Sequence, residues 1–62
     1  MTIRAIVTDD EPLARARLAR ILSMHGVDVV AQGENGQQAV DLVFEHDIDI
    51  LFIDINLSLI HI

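Results

Sequence analysis

The sequence predicts an α/β fold in which three parallel strands alternate with two helices. Three observations predict it. Runs rich in β-branched and apolar residues recur at 3–8, 27–31 and 48–55, each too short for a helix. The two intervening segments space their apolar residues three and four apart, the period of one helix face. The connections are short, and alternating units joined in this way form parallel sheets with helices on the faces.

Residues 3–8 are apolar or β-branched apart from Arg4, which suits a strand covered on both faces. They run directly into Asp9, Asp10, Glu11 and Pro12. Proline has a backbone angle suited to the first helical turn, and acids just before it favour a helix N-terminus. In the helix that follows, Ala14, Leu18, Ile21 and Leu22 form one apolar stripe, with Arg15, Arg17 and Arg20 expected on a solvated face. Gly26 is placed to end it. Residues 27–31 read as a second strand interrupted only by Asp28, and residues 33–36 as a turn.

Asn35 followed by Gln38 matches an N-cap with its capping-box partner. Val40, Val43 and Phe44 are the expected buried stripe of this second helix, which His46 and Asp47 end. Residues 48–55 form the most hydrophobic strand, with Asp49 near its start and Asp54 near its end.

Composition excludes several classes. The formal net charge is −6, and there is no lysine, so direct nucleic-acid binding by this segment lacks the clustered cations that phosphate contacts need. There is no cysteine for a disulfide or a thiolate metal site. No apolar run approaches the ~18 residues of a membrane span. Acids at 9–11 break any early signal-like run, so a soluble, cytoplasmic protein is expected. At 62 residues the chain is one domain at most, with a small core.

In open parallel sheets, ligands bind outside the carboxyl ends of the strands. The first strand ends at Asp9 and Asp10, the third at Asp54. If those strands are neighbours, three carboxylates meet at one rim and repel. A divalent ion resolves the conflict, and magnesium suits it best, being a hard cation that takes one or two carboxylates and keeps positions for water and phosphate oxygens. Such a site fits phosphoryl transfer onto a carboxylate. Alternatively, the same acids serve only as turn formers and helix caps. His25 and His46, at helix ends, read as solvated imidazoles rather than ligands.

Three segments carry a resemblance: residues 6–15 (IVTDDEPLAR), 33–36 (GENG) and 49–56 (DILFIDIN). In this order and spacing they are similar to response-regulator receivers with a flavodoxin-like, CheY-like fold. The match covers residues 1–56, the N-terminal half of a five-stranded, doubly wound domain. The resemblance implies the strand order 2-1-3-4-5 that this fold has in general.

The resemblance implies that Asp54 is phosphorylated by a histidine kinase, with Mg2+ as cofactor. Asp10 and Asp54 would ligate the ion, Asp9 would act through a bound water, and the backbone carbonyl of Asn56 would complete the protein's share. The run DEPLAR looks most like the LytTR class, whose separate output domain binds DNA.

The chain also departs from the family. Four residues beyond Asp54 the family usually has proline, where this chain has Ser58. The switch Ser or Thr of the fourth strand and the lysine of the fifth are not found, and truncation would leave the third strand at an edge. Residues 57–62 (LSLIHI) match what a transposase mosaic-end sequencing adapter encodes in frame, and are expected to be a non-native tail. The rival is a divergent or naturally truncated receiver, and His61 needs no metal role under either reading.

Two other functions compete. A magnesium-dependent aspartate-nucleophile phosphatase generally has a second acid two residues after its nucleophile, where this chain has Asn56. A nucleotide-binding domain would have a Gly-rich turn after the first strand, where this chain has four residues, DDEP.

Overall fold

Five elements alternate as predicted: β1 (Arg4–Asp9), α1 (Pro12–Met24), β2 (Asp28–Gly33), α2 (Gly36–Glu45) and β3 (Ile50–Asp54). They come from a computed structural model, which describes residues 2–54. The strands are parallel in the order β2-β1-β3, so the first in sequence is the central one. Right-handed crossovers from β1 to β2 and from β2 to β3 run in opposite directions across the sheet, which puts α1 and α2 on opposite faces. Both helices pack on β1 and β2, and they do not touch each other.

Enclosure from two faces and two edges explains why Ala5, Ile6 and Val7 are 0% exposed. Register partners in a parallel ladder project to the same face. Ala5, Val7 and Asp9 therefore share the α1 face with Ile50, Phe52 and Asp54, while Ile6 and Thr8 share the α2 face with Leu51 and Ile53. Against β2 the register slips between Ala5 and Ile6, leaving Val30 as the extra residue of a bulge.

Local signals set the helix ends. Gly26 has φ of +84°, and two bonds close α1 there: Gly26 N–H donates to the Ser23 carbonyl (3.1 Å) and Val27 N–H to that of Leu22 (3.0 Å). Asn35 Oδ1 accepts from Gln38 N–H at 2.9 Å, as the N-cap reading requires. The reciprocal bond is displaced by one residue: Gln38 Oε1 accepts from Glu34 N–H (2.8 Å). At the opposite end of the sheet Asp49 clamps β1, its Oδ2 accepting from Arg4 N–H (2.9 Å) and its N–H donating to the Arg4 carbonyl (2.8 Å).

The predicted helix faces need correction. In α2 the buried or half-buried residues are Ala39 and Leu42, while Val40, Val43 and Phe44 are exposed, Phe44 at 86%. The expected stripe is rotated away because the crossover turns the side carrying the small Ala39 toward the sheet, allowing close approach. In α1 the expected stripe holds for Ala14, Leu18 and Leu22, which are half-buried, but Ile21 is exposed, Ala19 is the buried residue, and Arg15 is half-buried rather than solvated. β2 begins one residue later than expected and runs on to Gly33, and β3 begins at Ile50 rather than at residue 48.

Candidate functional site

The carboxyl ends of β1 and β3 lie side by side, with Asp9 and Asp54 as register partners. Adjacent strands are about 5 Å apart, so the two carboxylates leave neighbouring positions on the α1 face. Asp10 follows where the chain turns toward α1. These three acids and Glu11 line an open cleft of about 490 Å³, whose other wall is Leu13, Ala14 and Arg17 of α1. The acids singled out in the sequence are thus brought together. Glu11 and Arg17 join them unforeseen, although the i, i+4 spacing of Leu13 and Arg17 puts them on one helix face.

Exposure divides the acids. Asp9 is only 4% exposed, whereas Asp10 and Asp54 are exposed. Burial of Asp9 is supported from the turn, where its Oδ1 accepts from Glu11 N–H at 2.9 Å. Its carbonyl accepts from Arg15 Nη1 at 3.0 Å, and Arg15 N–H donates to the Glu11 carbonyl at 2.9 Å, opening the helix. Glu11 is the N-cap residue yet makes no side-chain cap, and Pro12 supplies the N1 position. The acids here shape the turn mainly through Asp9.

Hard carboxylate oxygens on adjoining strand ends, two of them on exposed side chains in an open cleft, are the donor chemistry that magnesium takes. A buried carboxylate such as Asp9 is also favoured by a nearby cation. Among the described residues no three His, Cys, Asp or Glu side chains are grouped closely enough to hold a metal ion by themselves, so a cation here would need donors beyond these carboxylates. Asn56, the fourth expected contributor, lies outside the described residues, as do residues 57–62 with His61 and Ser58. His25 and His46 occupy the C-caps of α1 and α2 and do not line the cleft.

On the other face of the same rim, Thr8 Oγ1 is buried without a hydrogen-bond partner among the described residues. It packs against Gly33, where an added Cβ would lie 3.2 Å from that hydroxyl and 3.3 Å from Leu42 Cδ1. The sequence held no signal for this contact, since Thr8 reads simply as a strand residue.

Among known proteins, residues 5–61 match the family described as the response regulator receiver domain. Chemotaxis protein CheY of Bacillus subtilis is 39% identical over 57 residues, covering 92% of this chain and 48% of that protein. Sensory transduction protein LytR of Staphylococcus saprophyticus is 39% identical over 56 residues, covering 89% and 22%. A protein-glutamate methylesterase/protein-glutamine glutaminase of Haloarcula marismortui is 39% identical over 59 residues, covering 95% and 16%. The chain thus spans from 16% to 48% of the length of these relatives. No solved structure matches it.

Proposed function

The chain belongs to the response regulator receiver domain family, and from that premise we propose that Asp54 is its phospho-acceptor, served by a histidine kinase as phosphodonor. The observation carrying this reading is the direct pairing of Asp54 with Asp9 at a rim that also holds Asp10. An Asp54 carboxylate oxygen would form the new O–P bond as the bond from phosphorus to the donor's nitrogen breaks. Exposure of Asp54 in an open cleft suits attack by a group carried on another protein.

Asp10 and Asp54 would hold Mg2+ directly, with the Asn56 carbonyl, and Asp9 would hold it through a water. The ion would neutralise charge on the transferring phosphoryl oxygens. Asp9, fixed by Glu11 N–H, orients its free oxygen while Asp10 and Asp54 remain accessible. We read the domain as a signalling switch rather than a turnover enzyme, the phosphorylated carboxylate being its output state.

The run DEPLAR, together with relatives named LytR, supports a LytTR-class protein whose separate output domain reaches DNA. A cytoplasmic location follows from a kinase-fed role; no helix among the described residues is long and apolar enough to cross a membrane. We assign residues 1–56 to a partial receiver and 57–62 to translated adapter on the wording of those six residues, although the family match runs to residue 61. Codons in the source nucleotides that differ from the adapter's would remove that assignment.

The central test is labelling with Mg2+ and a small acyl phosphate. Incorporation that is acid-stable, labile to hydroxylamine and absent in Asp54→Ala is expected. Undiminished labelling of Asp54→Ala would overturn the assignment.

A further inference from the structure

The half-buried Arg15 is unexplained by either the core or the acceptor chemistry. It stands six residues beyond Asp9, in the opening turns of α1, yet its guanidinium reaches back to the Asp9 carbonyl at 3.0 Å. With the bond from Glu11 N–H to Asp9 Oδ1 and that from Arg15 N–H to the Glu11 carbonyl, it closes a ring of three hydrogen bonds around the turn. Every bond in that ring ends on Asp9 or on Glu11. Asp10 lies between them and contributes none of the three.

We infer that Arg15 is a positioning residue for the acid pair: by holding the Asp9 carbonyl it fixes the peptide plane between Asp9 and Asp10, and so the direction in which Asp10 presents its carboxylate to a divalent cation. The inference rests on the magnesium reading above. A peptide plane has a carbonyl at one end and, at the other, the N–H of the next residue. Clamping the Asp9 oxygen therefore restricts rotation about the bonds that lead to Asp10. Asp9 is held additionally by burial, but Asp10 is exposed, and among the described residues no hydrogen bond holds its side chain, so its backbone aims it. Groups that orient metal ligands without touching the ion are commonly worth 10- to 100-fold in affinity.

The sign of the effect separates this role from simple electrostatics. A cation beside a metal site repels the incoming ion, so if Arg15 acted through charge alone, its removal would tighten Mg2+ binding. Positioning requires the opposite. Arg15→Met keeps the apolar stem and removes the donor, and Arg15→Lys keeps charge and a donor without the planar fork.

Mg2+ titration by calorimetry, in the whole protein that contains residues 1–54, reads the affinity directly, with thermal unfolding in parallel. We expect Arg15→Met to weaken Mg2+ binding by roughly tenfold, and Arg15→Lys to recover most of that loss. Unchanged or tighter binding in Arg15→Met would overturn the inference, as would a loss in Arg15→Lys equal to that in Arg15→Met. If Arg15→Met does not fold, Arg15→Lys decides alone: a weakening of about two- to threefold, from loss of the planar fork, supports the role, and unchanged affinity overturns it. Absence of any Mg2+ response in the unmodified protein, with Asp54→Ala as its control, would instead sink the magnesium reading itself.

Discussion

The strands β1 and β3 are neighbours of similar apolar character, yet one is sealed and the other is not. Ala5, Ile6 and Val7 of β1 are fully buried, while Ile50 and Ile53 of β3 are 42% and 52% exposed. Among the described residues β1 has a strand on each side and a helix on each face, whereas β3 has one neighbour. Place in the sheet, rather than hydrophobicity, sets burial. The site straddles this difference, with the anchored Asp9 on the sealed strand and the accessible Asp54 on the open one. The phospho-acceptor role proposed for Asp54 would use both: one acid that does not move and one that a donor can reach.

The sharpest way to break that comparison is to truncate matched isoleucines. Ile6→Ala, at a fully buried position, is expected to cost roughly 3 kcal/mol, and Ile53→Ala about 1 kcal/mol or less, by urea denaturation. Equal costs would mean that β3 is covered in solution. Next in size is Gly33→Ala, whose Cβ would meet Thr8 and Leu42 at 3.2 and 3.3 Å, for a loss of about 2 kcal/mol.

A change in the opposite direction is expected at Thr8. Thr8→Val removes a buried hydroxyl that has no partner among the described residues and should raise stability by about 1 kcal/mol, read as a higher urea midpoint at unchanged slope. A loss there would reveal a partner for that hydroxyl. The smallest effect belongs to α2: Phe44→Ser should stay within about 0.5 kcal/mol, because 86% exposure leaves little to lose. Ile53→Lys tests the open edge differently. Charged edges resist strand pairing, so light scattering at micromolar concentration should fall for this variant, and unchanged scattering would argue against association through β3.

Much of this was legible residue by residue. Pro12 starts α1, Gly26 ends it in a left-handed turn, and Asn35 caps α2, each within a residue or two of where its chemistry placed it. The acids at 9, 10 and 54 could be read as strand-end residues. The helix faces could not be read in the same way: Val40, Val43 and Phe44 have a fair apolar period, yet Ala39 and Leu42 face the sheet. Periodicity identifies a stripe, but the crossover decides which side of the helix meets the strands. Arg15 eluded the sequence for a related reason, since a cation in an amphipathic helix looks solvated until a strand-end carbonyl is found beside it.

By itself, then, the sequence determined the order of elements, the helix ends and the residues at each strand terminus. All of these depend on backbone angles and hydrogen bonds reaching no more than a few positions along the chain. Only the tertiary structure decided that β1 and β3 pair in a register setting Asp9 against Asp54, and that, among the described residues, β1 has a strand on each side and β3 on one. Those outcomes depend on contacts between segments 45 residues apart, as in the Asp49 clamp on Arg4. No local preference encodes such a distance; packing two helices on opposite faces of one central strand does.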